Sequence, residues 1–123
     1  MILPTSNSIP EFWKTLDELI ASSEIVIDRP KSSRHPRFPE IIYPLDYGYL
    51  DGTSSMDGEG IDLWLGSAAD KKLTAIFVTV DAMKRDSEIK LMIGCSEEEL
   101  GLVDHFFNDY AGMKALLVRR EEE

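Results

Sequence analysis

Tyr43-Pro44-Leu45-Asp46-Tyr47-Gly48-Tyr49, followed by Asp57-Gly58-Glu59-Gly60-Ile61-Asp62, is the stretch from which the fold of this chain is predicted. Its second half places three carboxylates within six residues, and glycines separate them. Carboxylates this close repel one another unless a metal cation, basic side chains or protonation neutralises them. Mg²⁺ prefers oxygen ligands and often works with phosphate substrates. The stretch therefore predicts a magnesium site for phosphate chemistry, and the simpler alternative is a solvated turn rich in Asp and Gly.

The composition is that of one soluble domain. The chain has 123 residues, of which 43% are hydrophobic, and this suits a single core. Its one cysteine, Cys95, cannot form an intrachain disulfide and is expected to be buried and inert. The sequence begins with no signal-peptide pattern, and no apolar run approaches the roughly 20 residues that cross a bilayer. We therefore expect a single domain over residues 1–123, located in the cytoplasm and not bound to membranes.

The charge of the chain is strongly negative overall but locally positive. A net charge of -10 argues against nucleic-acid binding, including a barrel that binds single strands, because phosphate backbones would be repelled. Four cations nevertheless fall within nine residues that contain no acid, namely Arg29, Lys31, Arg34 and Arg37. This segment, residues 29–37, is called the basic loop below. It favours a small anionic ligand, and the alternative is a solvated loop that pairs with surface acids.

Local patterns predict two helices and several short strands. Helically spaced apolar residues predict a helix over about 10–21, and the capping box Ser96-Glu97-Glu98-Glu99 starts a second helix. Short β-branched or alternating runs predict strands at residues 25–27, 41–43, 61–65, 73–80, 89–93 and 114–118. Residues 121–123 form an acidic tail. The order of elements favours an α+β domain around a small antiparallel or barrel-like sheet.

The central stretch resembles the signature of the soluble, magnesium-dependent (family I) inorganic pyrophosphatases. That family usually reads Tyr-Pro-x-Asp/Asn-Tyr-Gly-Phe/Tyr and, further on, Asp-Gly-Asp-Pro-x-Asp. Residues 25–31 and 105–110 are similar to its first loop and to its C-terminal helix. The resemblance implies a small OB-like antiparallel β-barrel with flanking helices, and Mg²⁺-dependent hydrolysis of inorganic pyrophosphate to phosphate. Members of the family form oligomers, so a homo-oligomer is a further expectation.

The same resemblance assigns roles to individual residues. It implies metal ligands at Asp57, Asp62, Glu88 and Asp86, with Asp81 as an alternative to Asp86. It implies catalytic roles for three residues, with Glu59 activating the attacking water and Tyr47 and Lys90 on phosphate. It also implies substrate contacts for Tyr43 and Tyr110. A small phosphate-containing substrate and Mg²⁺ are the expected ligands.

Several of the family's cations are missing from their usual places. The loop lysine and glutamate fall on Pro36 and Phe38, and the lysine after the helix tyrosine falls on Ala111. Losing one such contact commonly costs about 2–4 kcal/mol of transition-state stabilisation. We hypothesise that substitutes come from the basic loop, namely Lys31, Arg34 and Arg37. His35 is either a surface residue or a pH-sensitive phosphate contact. The alternative function is a non-catalytic phosphate- or nucleotide-binding module on the same scaffold.

Overall fold

The computed structural model describes residues 8–55 and 58–121. These residues form an α+β domain, as the sequence predicts. Its helices and strands are α1 (Ser8–Ala21), β1 (Ile25–Arg29), β2 (Asp46–Leu50), β3 (Ile61–Leu65), β4 (Leu73–Asp81), β5 (Asp86–Ile93), α2 (Glu97–His105) and β6 (Lys114–Arg119). A π-helical turn, Phe106–Tyr110, continues α2. Neither helix of the described part is long and apolar enough to cross a membrane.

The six strands form one mixed sheet in the order β1-β2-β3-β5-β4-β6. Neighbouring strands are antiparallel, except that β3 and β5 are parallel. The parallel pair arises because the β4–β5 hairpin docks on β3 by its second strand, which runs in the same direction as β3. The strands of the described residues leave β1 and β6 as the two edges of the sheet, so the closed barrel implied by the resemblance is not formed there.

The strand β2 was not predicted, and the predicted strand at 41–43 contributes only one isolated bridge, between Ile42 and Arg34. The segment from 32 to 43 instead folds back on itself through backbone hydrogen bonds, including His35 N–H to the Ile41 carbonyl at 2.9 Å. β2 forms because β1 and β3 pair with it on both sides. A Cβ atom at Gly48 would lie 1.8 Å from the Val26 carbonyl oxygen, so glycine lets β1 and β2 approach.

Side-chain alternation gives the sheet two buried faces. The face under α1, called the α1 face, contains Trp13, Leu50, Leu63, Leu73, Ile76, Leu91 and Ile93. The opposite face, called the α2 face, packs against α2 and the π-helical turn through a second cluster that includes Trp64, Phe77, Met92, Phe106 and Phe107. Each fully buried large apolar side chain contributes about 1.5–3 kcal/mol to folding. Because side chains alternate along a strand, residues two apart share a face of the sheet. The polar residues described below lie on the α2 face for this reason.

The predicted capping box holds the start of α2. The Ser96 hydroxyl accepts a hydrogen bond from the Glu99 N–H at 3.2 Å, and the Glu99 carboxylate accepts one from the Ser96 N–H at 2.9 Å. The Glu99 carboxylate also accepts the Ser67 N–H at 3.0 Å, which ties the helix to the loop after β3. Burial opposes ionisation of Glu99, but the hydrogen bonds from Ser96 and Ser67 outweigh it and lower the pKa of Glu99. α2 is thereby fixed over one end of the α2 face.

Candidate functional site

A pocket of about 800 Å³ opens on the α2 face, beside the helix. Five strands, β1 to β5, contribute side chains to it, and in β2 to β5 the registers put alternate residues on this face. Tyr47 pairs with Trp64, Tyr49 with Asp62, and Thr79 with Glu88. The π-helical turn, the residues that follow it, and the loops between β1 and β2, β2 and β3, and β4 and β5 supply the remaining walls. Residues far apart in sequence therefore share one cavity, as the metal-site prediction requires.

Lys90 is at the centre of the polar end of this pocket. Its ammonium donates hydrogen bonds to Asp62 Oδ2 at 2.6 Å, Glu88 Oε2 at 2.8 Å and the Tyr47 hydroxyl at 3.1 Å. The Tyr47 hydroxyl in turn donates to Asp62 Oδ2 at 2.7 Å. The side chains of Lys90, Glu88 and Asp62 are 8%, 10% and 24% exposed. All three donor hydrogens of the ammonium thus have partners in a largely buried network.

The network fixes the protonation of two of its members. Burial opposes the charge on Lys90, but the oxygens of Tyr47 and Asp62 outweigh it and raise the pKa of Lys90. Burial, together with the charge of Asp62, raises the pKa of Tyr47 against the opposing effect of Lys90. At neutral pH, Lys90 is therefore a fixed cation and Tyr47 a neutral phenol. The pair places a fixed positive charge and a neutral hydroxyl at the polar end of the pocket.

Further carboxylates surround this network. Asp81 and Asp86 are directly opposite each other across the β4–β5 hairpin, and both line the pocket with Glu59. Like charges in that position destabilise a sheet unless they are compensated. Asp81 Oδ1 also accepts the Met83 and Lys84 N–H groups, each at 3.1 Å, and so stabilises the hairpin turn. The acids assigned from the sequence are brought together here, apart from Asp57, which lies outside the described residues.

Tyr43 belongs to an aromatic part of the same pocket. Its ring is buried, with centroid distances of 5.5 Å to Tyr47, 5.8 Å to Trp64 and 5.4 Å to Phe106. The Arg29 guanidinium donates a hydrogen bond to the Tyr43 hydroxyl and also lines the pocket. The sequence prediction did not give Arg29 a separate role, although its position as the last residue of a strand distinguishes it from the rest of the basic loop.

The other cations of the basic loop lie outside the pocket lining. The Lys31 N–H donates to Asp46 Oδ1 at 2.8 Å, the Arg34 guanidinium donates to the Pro39 carbonyl at 2.9 Å, and Arg37 is exposed. The turned-back path of the loop directs the Arg34 guanidinium to this local partner. Lys84, from the hairpin turn, lines the pocket instead. The sequence offered no signal for Lys84, since charged residues are common in such turns.

Tyr110 also lies outside the pocket lining, where it holds the loop. Its hydroxyl accepts a hydrogen bond from the Ile42 N–H at 3.0 Å, across 68 residues of sequence. Its ring packs against Phe106 at a centroid distance of 5.9 Å. The predicted substrate contact is therefore placed as a link between the π-helical turn and the loop that forms one pocket wall.

His35 lines the pocket and is half-buried. Its Nδ1 accepts the Arg37 N–H at 3.0 Å and the Phe38 N–H at 3.2 Å, which leaves the ring proton on Nε2. Burial, followed by the nearby charges of Arg29, Lys84 and Arg37, lowers the pKa of His35. The imidazole is therefore neutral at pH 7, with one N–H available for donation.

The donor chemistry of the pocket fits a hard cation, because its anionic groups are carboxylates. Over residues 8–55 and 58–121, no three His, Cys, Asp or Glu side chains form a metal-binding group by themselves. Asp62 and Glu88 instead share the ammonium of Lys90. A divalent cation in this pocket would therefore draw on a ligand set that also includes Asp57 or the substrate, since Mg²⁺ is often bound by one or two carboxylates and phosphate oxygens.

Comparison with known proteins adds no relative. Neither a protein-family model nor a curated protein matches this chain. The function is consequently inferred from the pocket itself and from the resemblance in the central stretch.

Proposed function

We propose that this protein hydrolyses a phosphoanhydride with the help of Mg²⁺, and that inorganic pyrophosphate, cleaved to phosphate, is the simplest substrate. One observation supports the metal requirement above all. Among the described residues that line the pocket, six are carboxylates and three are Arg or Lys, namely Asp28, Glu59, Asp62, Asp81, Asp86 and Glu88 against Arg29, Lys84 and Lys90. Such a pocket repels a phosphate anion unless divalent cations accompany it.

The proposed ligands of Mg²⁺ are Asp57, Asp62, Asp86 and Glu88, whose oxygens are of the type that this ion prefers. Bound Mg²⁺ supplies neutralisation of phosphate charge and a lower pKa for a coordinated water. We further propose that the open sheet is a shortened version of the barrel found in the family that the sequence resembles. The resemblance supports pyrophosphate as the substrate, because the Tyr43–Tyr49 and Asp57–Asp62 motifs occur together.

The residues of the chain would divide the reaction among them. Glu59 orients or deprotonates the attacking water, whose oxygen forms a bond to phosphorus while the bridging phosphorus–oxygen bond breaks. The two products are phosphate ions. The ammonium of Lys90 and the hydroxyl of Tyr47 stabilise the charge that develops on the phosphate oxygens. The ammonium hydrogens are donated to Tyr47, Asp62 and Glu88 in the structure, so Mg²⁺ bound to the two carboxylates would have to release them for phosphate.

The test is phosphate release by the purified full chain from pyrophosphate, with Mg²⁺, with Mn²⁺ and with a chelator. We expect metal-dependent release, and we expect Glu59→Gln to lower kcat by roughly 10²–10⁴-fold, the usual contribution of a general base. The matched control is Glu98→Gln, which removes an exposed carboxylate on α2 and should leave the rate unchanged. Absence of release with either metal, or a fully active Glu59→Gln variant, would reject the proposal.

A second candidate is a non-catalytic module that binds phosphate or a nucleotide. Lys31, Arg34 and Arg37 lie outside the pocket lining. They therefore do not replace the missing cations of the family, and this favours a module without turnover. It is also favoured by Lys90, whose ammonium already contacts two carboxylates. Calorimetry with pyrophosphate, with and without Mg²⁺, separates the two functions, since tight binding without phosphate release would support this module.

A further inference from the structure

The pocket is larger and more aromatic than pyrophosphate requires. Its volume of about 800 Å³ is within the range of roughly 300–1,000 Å³ that is typical of sites for drug-sized organic ligands. The charged groups that would hold two phosphates are concentrated around Lys90. The rest of the lining includes the rings of Phe38, Phe106 and Phe107, which have no polar group for a bare inorganic anion. The pocket volume that pyrophosphate would leave unfilled therefore favours a ligand with an apolar, planar part.

A continuous series of contacts leads from Lys90 to the mouth of the pocket. The ammonium of Lys90 contacts the Tyr47 hydroxyl at 3.1 Å, and the Tyr47 and Tyr43 ring centroids are 5.5 Å apart. Tyr43 then stacks on His35, with centroids 6.3 Å apart and planes within 10° of parallel. His35 contacts Phe38 at 5.3 Å. These four rings, Tyr47, Tyr43, His35 and Phe38, are called the aromatic wall.

The outer end of the aromatic wall is held in place yet accessible. Phe38 is 49% exposed, and its backbone N–H donates to His35 Nδ1 while its carbonyl accepts the Ile41 N–H at 2.9 Å. A single exposed phenylalanine is common on protein surfaces. Here, however, the ring is beside a neutral imidazole at the entrance of the charged pocket. The two ring planes are 39° apart, so the pair presents the exposed face of Phe38 and, beside it, the Nε2–H donor of His35.

We propose, on the basis of the hydrolase function above, that the preferred substrate is a nucleotide, a phosphoanhydride that carries a planar base. The anhydride would bind at Lys90 and Tyr47, and the base would stack on the exposed ring of Phe38, beside His35. Water would add to the terminal phosphorus, the anhydride phosphorus–oxygen bond would break, and the products would be phosphate and the shortened nucleotide. Stacking tolerates different bases because each has a π-face, so selectivity among them should be weak.

The test compares adenosine diphosphate with pyrophosphate, using the full chain and Mg²⁺. Wild-type protein should have the higher kcat/KM for the diphosphate nucleotide. Phe38→Ala should lower that kcat/KM by about tenfold, as the loss of one base-stacking ring predicts, and should leave pyrophosphate hydrolysis unchanged. The matched control is Phe12→Ala, which removes a 43% exposed ring on α1 and should alter neither substrate.

The outcomes separate this inference from the function on which it rests. Cleavage of pyrophosphate but not of the nucleotide, or an equal effect of Phe38→Ala on both, would overturn the inference and leave the hydrolase proposal standing. If neither compound is cleaved, the hydrolase proposal fails, and calorimetry with the same two compounds decides the inference. Tighter binding of the nucleotide that is lost in Phe38→Ala supports it, and equal binding of both compounds overturns it.

Discussion

Replacing Lys90 by methionine is the most informative single change. Methionine keeps an unbranched apolar stem of similar length and removes the ammonium. In the wild-type protein, Asp62 and Glu88 lie 2.6 and 2.8 Å from this ammonium. The substitution leaves both carboxylates without their shared cation. Tyr47 still donates to Asp62 at 2.7 Å, so one hydrogen bond of the network survives. The remaining carboxylates are 24% and 10% exposed, and water compensates them only in part.

The size of the effect follows from this burial. Removing one partner of a buried ion pair typically costs about 3–5 kcal/mol, because a charge is left uncompensated. Since Asp62 is partly exposed, we expect the lower end, about 3 kcal/mol in the free energy of unfolding. Neutralising the whole network, with Asp62→Asn and Glu88→Gln added to Lys90→Met, should recover most of this loss. Buried ion pairs are often close to neutral in stability relative to uncharged replacements.

The assay is urea unfolding at pH 7, first in the presence of a chelator. Lys14→Met removes an exposed lysine on α1 and should change stability by less than about 0.5 kcal/mol. Adding Mg²⁺ should stabilise Lys90→Met more than wild type, because a divalent cation can compensate the carboxylates that the ammonium no longer contacts. A loss below about 1 kcal/mol in Lys90→Met, or a triple variant no more stable than the single one, would refute the reasoning.

Three further predictions address the backbone, the thiol and the imidazole. Gly48→Ala should destabilise the protein by about 3 kcal/mol or more in urea unfolding, because its Cβ would lie 1.8 Å from the Val26 carbonyl oxygen. Gly101→Ala, in an open position of α2, should instead stabilise the protein by about 1 kcal/mol. Equal effects of the two substitutions would contradict the packing argument. Burial raises the pKa of Cys95 to about 12, so iodoacetamide at pH 8 should label it only after unfolding, and rapid labelling of the native protein would disprove its burial. The pKa of His35 is lowered, so its Cε1 resonance in NMR should titrate with a midpoint below pH 6.5. The contribution of His35 to the free energy of unfolding should be present above pH 6.5 and decline as pH falls through the midpoint of this titration. A midpoint above pH 6.5 would contradict this prediction.

Sequence patterns predicted the elements whose side chains repeat with a clear period. α1, β3, β4 and α2 are found within a few residues of their expected positions. β2 was missed because Asp46 and Gly48 are both unfavourable in strands, and pairing with β1 and β3 overrides that preference. Residues 41–43 have the composition of a strand, but they pair mainly with the folded-back loop. The local composition of a segment does not indicate which distant residues it will pair with.

The pocket residues that lie on strands, including Lys90, were easier to predict than those on the basic loop. Asp62 and Glu88 occupy strands, whose register fixes the face to which each side chain points. The cations of the basic loop have no such register, and hydrogen bonds such as that from Arg34 to the Pro39 carbonyl decide their direction. The contact between His35 and Phe38 was missed for the same reason, since these residues meet only through the path of the loop.

The alternation along β5 has a consequence for how this protein tolerates mutation. Glu88 and Lys90 point into the pocket, whereas Ile89 and Leu91 point toward the α1 face. In a saturation scan scored separately for cellular abundance and for the proposed phosphate release, the effects of substitution should therefore alternate from one residue of this strand to the next. Substitutions at 91 should reduce abundance, whereas charge-preserving changes at 88 should spare abundance and alter the chemistry. Adjacent codons of one strand would then evolve under different pressures, one set by ligand chemistry and the next by folding.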